Sequence, residues 1–314
     1  MDGTRRMTIL GTAALTLAPG IAWADAPIGG RAFGSTWRLT GEGVTRRAAA
    51  RIEHHARQVD ATMSPYRRMS LISRFNRADT AARLDLPPFM EDVVRAAIDI
   101  HRASDGAFDP TVGPVVNRYG FGPILGGGEG IDEIVLEGGT LRKSAAEVTL
   151  DLCGIAKGYA LDAMIDDLRA DGATDILLEL GGETRALGRH PTGRPWQIAI
   201  EDPLSPGPAA RHVVRPGSLA LATSGHAANG IPDRRLSHVI DPRTERPATG
   251  FAASVSVLAE TAMRADAWAT ALVAMGPGGP DFARAHGISA LFILGGAAGG
   301  ASILIGDFAR HILV

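Results

Sequence analysis

The chain of 314 residues predicts an α+β fold, a single compact unit with two lobes in which mixed or antiparallel sheets are flanked by helices. Three observations predict it. Candidate strands cluster in hairpins rather than alternating strictly with helices, which argues against a Rossmann sheet. Amphipathic helical stretches separate those clusters. No internal repeat or long linker divides the chain. Hydrophobic residues are 45 % and charged residues 21 % of the total, so disorder, collagen and coiled coil are excluded.

Residues 31–40 read as a strand interrupted by Gly34-Ser35. From Val44 to Met63, Ile52, Ala56, Val59 and Met63 recur at helical spacing. Residues 89–103 repeat this with Val93, Val94, Ala97 and Ile98. Gly126-Gly127-Gly128 marks a loop, and Ile134 to Leu152 alternates like a hairpin. A helix is expected from about Ile155 to Ala170, closed by Gly172. Strands follow at 174–180, 196–201, 218–222 and 253–258, then a helix at 264–275 and strands at 289–294 and 302–306.

The first residues read as an address. Arg5-Arg6 leads an apolar run to about Ala18, too short to span a membrane. Ala22-Trp23-Ala24 follows as a small-x-small cleavage pattern, so residues 1–24 are expected to be a removable signal of the twin-arginine type. Residues 25–314 would then be the exported, periplasmic domain. The single cysteine, Cys153, excludes a disulfide framework and a Cys-based zinc site. None lies near the cleavage site, so no lipid anchor is expected. With 32 basic and 34 acidic residues and no basic run, nucleic acid is not an expected partner. Only two of the basic residues are lysines, Lys143 and Lys157.

Five segments hold more polar chemistry than packing needs. Around Met63-Ser64-Pro65-Tyr66, followed by Ser70, Ser73 and Asn76, the ring of Tyr66 is either packing or a stacking face for a planar ligand. In Asp105-Gly106-Ala107-Phe108-Asp109-Pro110-Thr111, Asp109 serves either an Asx-turn or a ligand. In Asp151-Leu152-Cys153-Gly154-Ile155-Ala156-Lys157-Gly158-Tyr159 a strand turns into a helix N-terminus, which suits a phosphate. Lys157 stands there although arginine fills nearly every other basic position, and a point-charge ammonium is not interchangeable with a guanidinium. In Ser237-His238-Val239-Ile240-Asp241-Pro242, the setting of His238 suits a general base. Asp266 and Thr270 lie four apart on an otherwise apolar helix. As oxygen donors they suit Mg²⁺ or Ca²⁺, although a helix-start Asp with a back-bonding Thr would look the same.

In order, these segments resemble the ApbE family of FAD:protein FMN transferases. The resemblance begins at Ala32-Phe33-Gly34-Ser35-Thr36-Trp37 and includes Gly181-Gly182-Glu183 and Thr223-Ser224-Gly225 as well as the five segments above. It implies Mg²⁺-dependent transfer of FMN from FAD to a Thr or Ser hydroxyl of an acceptor flavoprotein, releasing AMP. It places FAD against Phe33, Tyr66, Ala107, Phe108, Asp109, Cys153, Tyr159 and Ile240. It gives the metal to the main-chain oxygen of Ala156 and the side chains of Asp266 and Thr270, and assigns catalysis to His238. Mg²⁺ with Lys157 would neutralise the diphosphate. Exported members include the NosX-type flavinyltransferases of nitrous oxide respiration, which implies a membrane-bound respiratory flavoprotein as acceptor. The chain departs from the family pattern at Phe33, Cys153, His226-Ala227-Ala228-Asn229 and Glu245. An FAD pyrophosphatase using water as nucleophile, and a non-catalytic flavin carrier, are alternative readings of the same residues.

Overall fold

The computed structural model describes residues 26–80, 83–127, 130–225, 237–248, 250–295 and 300–314. The expected signal, Gly128 and residues 226–229 lie outside them.

The strand expected over 31–40 is a hairpin of β1 (Ile28–Ala32) and β2 (Ser35–Gly41). Phe33 and Gly34 form its turn with φ of 52° and 73°, the left-handed pair that two-residue hairpin turns use. Helix α1 (Arg46–Met63) starts at Thr45, whose side chain accepts from the Ala48 N–H, and buries the predicted stripe of Ile52, Ala56, Val59 and Met63. A short α2 (Leu71–Arg77) follows, capped by Ser70. After β3 (Leu84–Asp85) comes α3 (Pro88–Ala103), which buries Val93, Val94 and Ala97 but uses Ile100 rather than Ile98. Next are α4 (Gly113–Arg118), β4 (Ile134–Glu137) and β5 (Thr140–Lys143).

The hairpin expected to run to Leu152 ends at Lys143 for a physical reason. Lys143 is 2 % exposed, and its ammonium donates to the carbonyls of Ala146 (2.7 Å), Val148 (3.0 Å) and Asn76 (3.3 Å). A buried cation needs such partners, and gathering them curls residues 144–148 away from the strand.

Helix α5 (Cys153–Ala170) begins two residues before Ile155. The second half holds β6 (Ile176–Leu180), β7 (Glu183–Leu187), β8 (Ile198–Glu201), β9 (Ala210–Val214), β10 (Ala220–Gly225), β11 (Ile240–Asp241), β12 (Arg246–Pro247) and β13 (Ala252–Ala259). Then come α6 (Ala262–Ala274), α7 (Gly279–Ala285), β14 (Ser289–Leu294) and β15 (Ser302–Ile305). Eight strands form the main sheet in the order β1-β2-β6-β7-β10-β13-β14-β15. Its pairings are antiparallel throughout, which settles the mixed-or-antiparallel expectation.

Both faces of this sheet are covered. Leu178, Leu180, Ala222, Val255, Val257 and Phe292 face the larger core, with Ile155, Leu161, Ile165 and Trp268 of α5 and α6. Their strand neighbours Leu177, Leu221, Leu258, Leu291 and Ile293 face a second core with Trp196, Ile198, Val214 and Phe308. Alternate strand residues point to opposite faces, so the apolar stretches of β13 and β14 follow from burial on both sides.

Candidate active site where two helices cross

Helices α5 and α6 pack face to face at glycines. A Cβ on Gly158 would lie 2.3 Å from the Ala262 carbonyl oxygen, and one on Gly154 would lie 3.4 Å from Thr270 Oγ1. The contact is fixed by Asp162 of α5, whose carboxylate accepts from the Ala262 and Met263 N–H groups, both at 2.9 Å. Those are orphan donors of the α6 N-terminus, so one helix caps the other. Arg185 on β7 neutralises the same carboxylate at 2.6 Å.

This crossing puts the predicted metal residues together. Asp266 is 3 % exposed and accepts a 3.0 Å hydrogen bond from the Gly158 N–H through Oδ2. Burial raises its pKa, with the Lys157 charge and that N–H acting the other way. Thr270, one turn on, lies against Gly154 and shares a 3.3 Å hydrogen bond with Ser224 at the end of β10. Ala156 sits between the two glycines on α5. A desolvated carboxylate, a hydroxyl and a main-chain carbonyl form an oxygen set that fits a small hard cation.

Lys157 is ion-paired with Glu183 of β7. Burial opposes its charge, but Glu183 and Asp266 outweigh it and hold the ammonium above its ordinary pKa. It stays charged.

The remaining residues divide. Tyr66 is 65 % exposed, while its hydroxyl donates to the Phe121 carbonyl at 2.9 Å. Enclosure of that hydroxyl, then the neighbouring Cys153 and Asp151, push its pKa up to about 12. The loop carrying it is braced from behind: Ser70 Oγ donates to the Ser64 carbonyl at 2.7 Å, and Asn76 exchanges two 2.8 Å hydrogen bonds with the Leu150 backbone. Cys153 is exposed, but burial of its sulfur and the Asp151 carboxylate hold the thiol well above the ordinary range. It is therefore protonated and a poor nucleophile at neutral pH.

Phe108 touches the start of α5, with its ring 3.2 Å from where a Gly154 Cβ would be. Its backbone is occupied, the N–H by Ser104 Oγ at 3.0 Å and the carbonyl by His101 Nδ1 at 3.0 Å. The Ala107 N–H goes to the Ser104 carbonyl. Asp109 makes the Asx-turn: Oδ1 accepts from the N–H and the hydroxyl of Thr111, both at 2.7 Å. These three residues therefore form a rigid turn beside α5. Tyr159 stacks on Phe89 of α3 at 6.0 Å, about 200° around α5 from Lys157 by helical geometry. The structure does not bring it to the Asp266–Lys157 cluster. Phe33 packs against the larger core, and Ile240 is 4 % exposed in the small β11–β12 ladder.

His238 is half-buried, edge-on to the Phe121 ring at 6.3 Å. The Asp241 carboxylate holds the Arg243 guanidinium at 2.8 Å and the Arg243 N–H at 3.1 Å. The structure adds Phe121, Glu183 and His101 to the residues picked out by chemistry. Phe121 ties Tyr66 to His238, and no local sequence signal marks it. His101 is half-buried against the Phe108 turn.

Gly158→Ala is the first expected outcome. Its methyl would displace the Ala262 carbonyl and part the helices, at a stability cost of about 1–3 kcal/mol. Thermal melting should show that loss, and divalent-cation affinity should fall with it.

An antiparallel α+β core that gathers Asp266, Thr270 and a fixed Lys157 ammonium where two helices cross defines the class of fold and site. The sequence model of the ApbE family matches residues 33–292, and the chain belongs to that family. An FAD:protein FMN transferase of Vibrio cholerae is 37 % identical over 260 residues, 77 % of this chain and 78 % of that protein. One from Escherichia coli K12 is 32 % identical over 272 residues, 79 % of this chain and 78 % of that protein. The solved flavin transferase ApbE from Vibrio cholerae superposes with TM-score 0.81 at 32 % identity, covering 91 % of this chain and 98 % of its own. Apo flavinyl transferase ApbE from Pseudomonas stutzeri gives TM-score 0.81 at 31 % identity, covering 92 % and 97 %.

Proposed function

We propose that this protein transfers FMN from FAD to a Thr or Ser hydroxyl of an acceptor protein. The observation that carries the reading is the α5–α6 crossing, which gathers Asp266, Thr270 and Lys157 in a chain whose relatives are named for this reaction. The acceptor hydroxyl attacks the FMN phosphorus, the bond to the AMP phosphate breaks, and AMP leaves. Asp266, Thr270 and the Ala156 carbonyl would hold Mg²⁺, which when bound supplies Lewis-acid neutralisation of the diphosphate. Lys157 adds a second positive charge. His238 takes the proton from the hydroxyl as general base. The exposed face of Tyr66 stacks on the isoalloxazine, and its hydroxyl bond to Phe121 holds the ring in place.

The twin-arginine signature at Arg5-Arg6 and the Ala22-Trp23-Ala24 pattern support action in the periplasm, on an acceptor such as a membrane-bound respiratory flavoprotein. No helix among the described residues is long and apolar enough to cross a membrane.

Incubation with FAD and Mg²⁺ tests the reaction through AMP. Release that depends on an acceptor supports transfer, whereas equal release without one shows hydrolysis by water. The stacking role predicts that Tyr66→Ala weakens FAD binding by about 1–3 kcal/mol, the scale for a base on an aromatic face. Flavin fluorescence quenching measures it, and equal affinities would remove Tyr66 from the site.

A further inference from the structure

The two lysines are both held by their ammonium groups, but in different ways. Lys143 is fully enclosed and spends its three donors on backbone carbonyls. Lys157 keeps 30 % of its side chain open to solvent and is gripped by one carboxylate, that of Glu183, itself 1 % exposed. Glu183 stands where the sheet gives least. It is the first residue of β7, directly after Gly181 and Gly182 at φ of 60° and 109°. It pairs with Leu180 of β6 on one side and Ala222 of β10 on the other.

Glu183 makes a poor structural residue. Oε1 binds Lys157 Nζ, but Oε2 is buried with no hydrogen-bond partner among the described residues. Its neighbour Gly181 is hemmed in by Ser35: a Cβ there would lie 2.9 Å from Ser35 Oγ and 3.7 Å, an ordinary contact, from Oε2. Burial, with Asp266 nearby, disfavours the Glu183 charge. An ion pair replaced by apolar side chains of like volume is commonly neutral or stabilising, so this pair is not explained by stability. Its effect is geometric. A lysine side chain has four rotatable bonds and a strongly hydrated head, and a carboxylate fixed from three strands confines it.

We infer that Glu183 is the positioning residue for Lys157, holding its ammonium where the FAD diphosphate is bound. The inference rests on the FMN-transfer reading for the ligand. The pairing itself is independent of that reading.

Two substitutions separate reach from charge. Glu183→Asp keeps the charge but draws the acceptor back by one methylene. Glu183→Gln keeps the acceptor at the same reach and removes the charge. Equilibrium binding of FAD and of riboflavin, which has no phosphate, is measured by fluorescence quenching on the full-length variants, with thermal melting alongside. Positioning predicts that Glu183→Asp weakens FAD binding about tenfold, within the coupling range of contacting residues. Glu183→Gln should stay within about threefold of the parent, and riboflavin affinity should not move in either. In a Lys157→Met background, Glu183→Asp should weaken FAD binding no further. A larger loss in Gln than in Asp, or tighter FAD binding in Gln alone, would mean that charge and not position matters and would overturn the inference. So would equal losses for FAD and riboflavin, or the same loss with and without Lys157. These readouts are equilibria, so a parent protein that binds FAD but transfers nothing refutes the transfer reading and leaves the Glu183 result standing.

Discussion

Asp266→Asn is expected to cut Mg²⁺-dependent AMP release by about a thousandfold or more while the fold survives. A Lewis acid contributes several kcal/mol to such a reaction, and each 1.36 kcal/mol is tenfold. The fold survives because Asn still accepts from the Gly158 N–H, the bond Asp266 makes through Oδ2. Asp266→Ala should lose the activity equally. The stability effect has a sign. Burial raises the Asp266 pKa, and it raises that of Glu183 against the opposing Lys157 charge. The folded state therefore binds these protons more tightly than the unfolded chain. Without metal, stability is greatest below the ordinary carboxylate range and falls as pH rises above it. Asp266→Asn removes its own share of that fall. Melting curves over this range, with and without Mg²⁺, check it; undiminished Mg²⁺-dependent release by the variant would remove Asp266 from the metal site.

His238→Asn should keep FAD and Mg²⁺ binding and lower single-turnover FMN transfer by at least about a hundredfold, the general-base scale. The half-buried ring sits edge-on to Phe121, whose carbonyl also anchors Tyr66, so His238 and Tyr66 share one support. Transfer requires the neutral imidazole. The parent rate should therefore rise with pH as the imidazole loses its proton, and the variant should lack that limb. A variant keeping more than about a tenth of the rate would make His238 a scaffold residue instead.

Much of this was legible in sequence where one local rule decided the outcome. The stripe of α1 and the Asp266/Thr270 spacing on α6 are single-helix periodicities, and both appear as read. Strand β7 was not legible. Glu183 and Thr184 are buried polar residues in the middle of a sheet, so the segment shows neither alternation nor an apolar run. Helix α2 is seven residues long, too short for periodicity, and its Ser70, Ser73 and Asn76 read as site chemistry when they brace a loop. The rarity of lysine marked Lys143 and Lys157 equally; only their partners tell a structural cation from a functional one. The Lys157–Glu183 pair joins residues 26 apart, and Tyr66 reaches Phe121 across 55. Such pairs are products of topology, and spacing along the chain does not encode them.

The central claim is that FMN moves from FAD to a protein hydroxyl. Intact-mass analysis of a purified acceptor flavoprotein domain, after incubation with this protein, FAD and Mg²⁺, tests it most directly. The account predicts an acceptor heavier by FMN less one water, with one AMP released per acceptor modified, and no gain when the acceptor Thr or Ser is replaced by Ala. An acceptor of unchanged mass beside free FMN and AMP would contradict it.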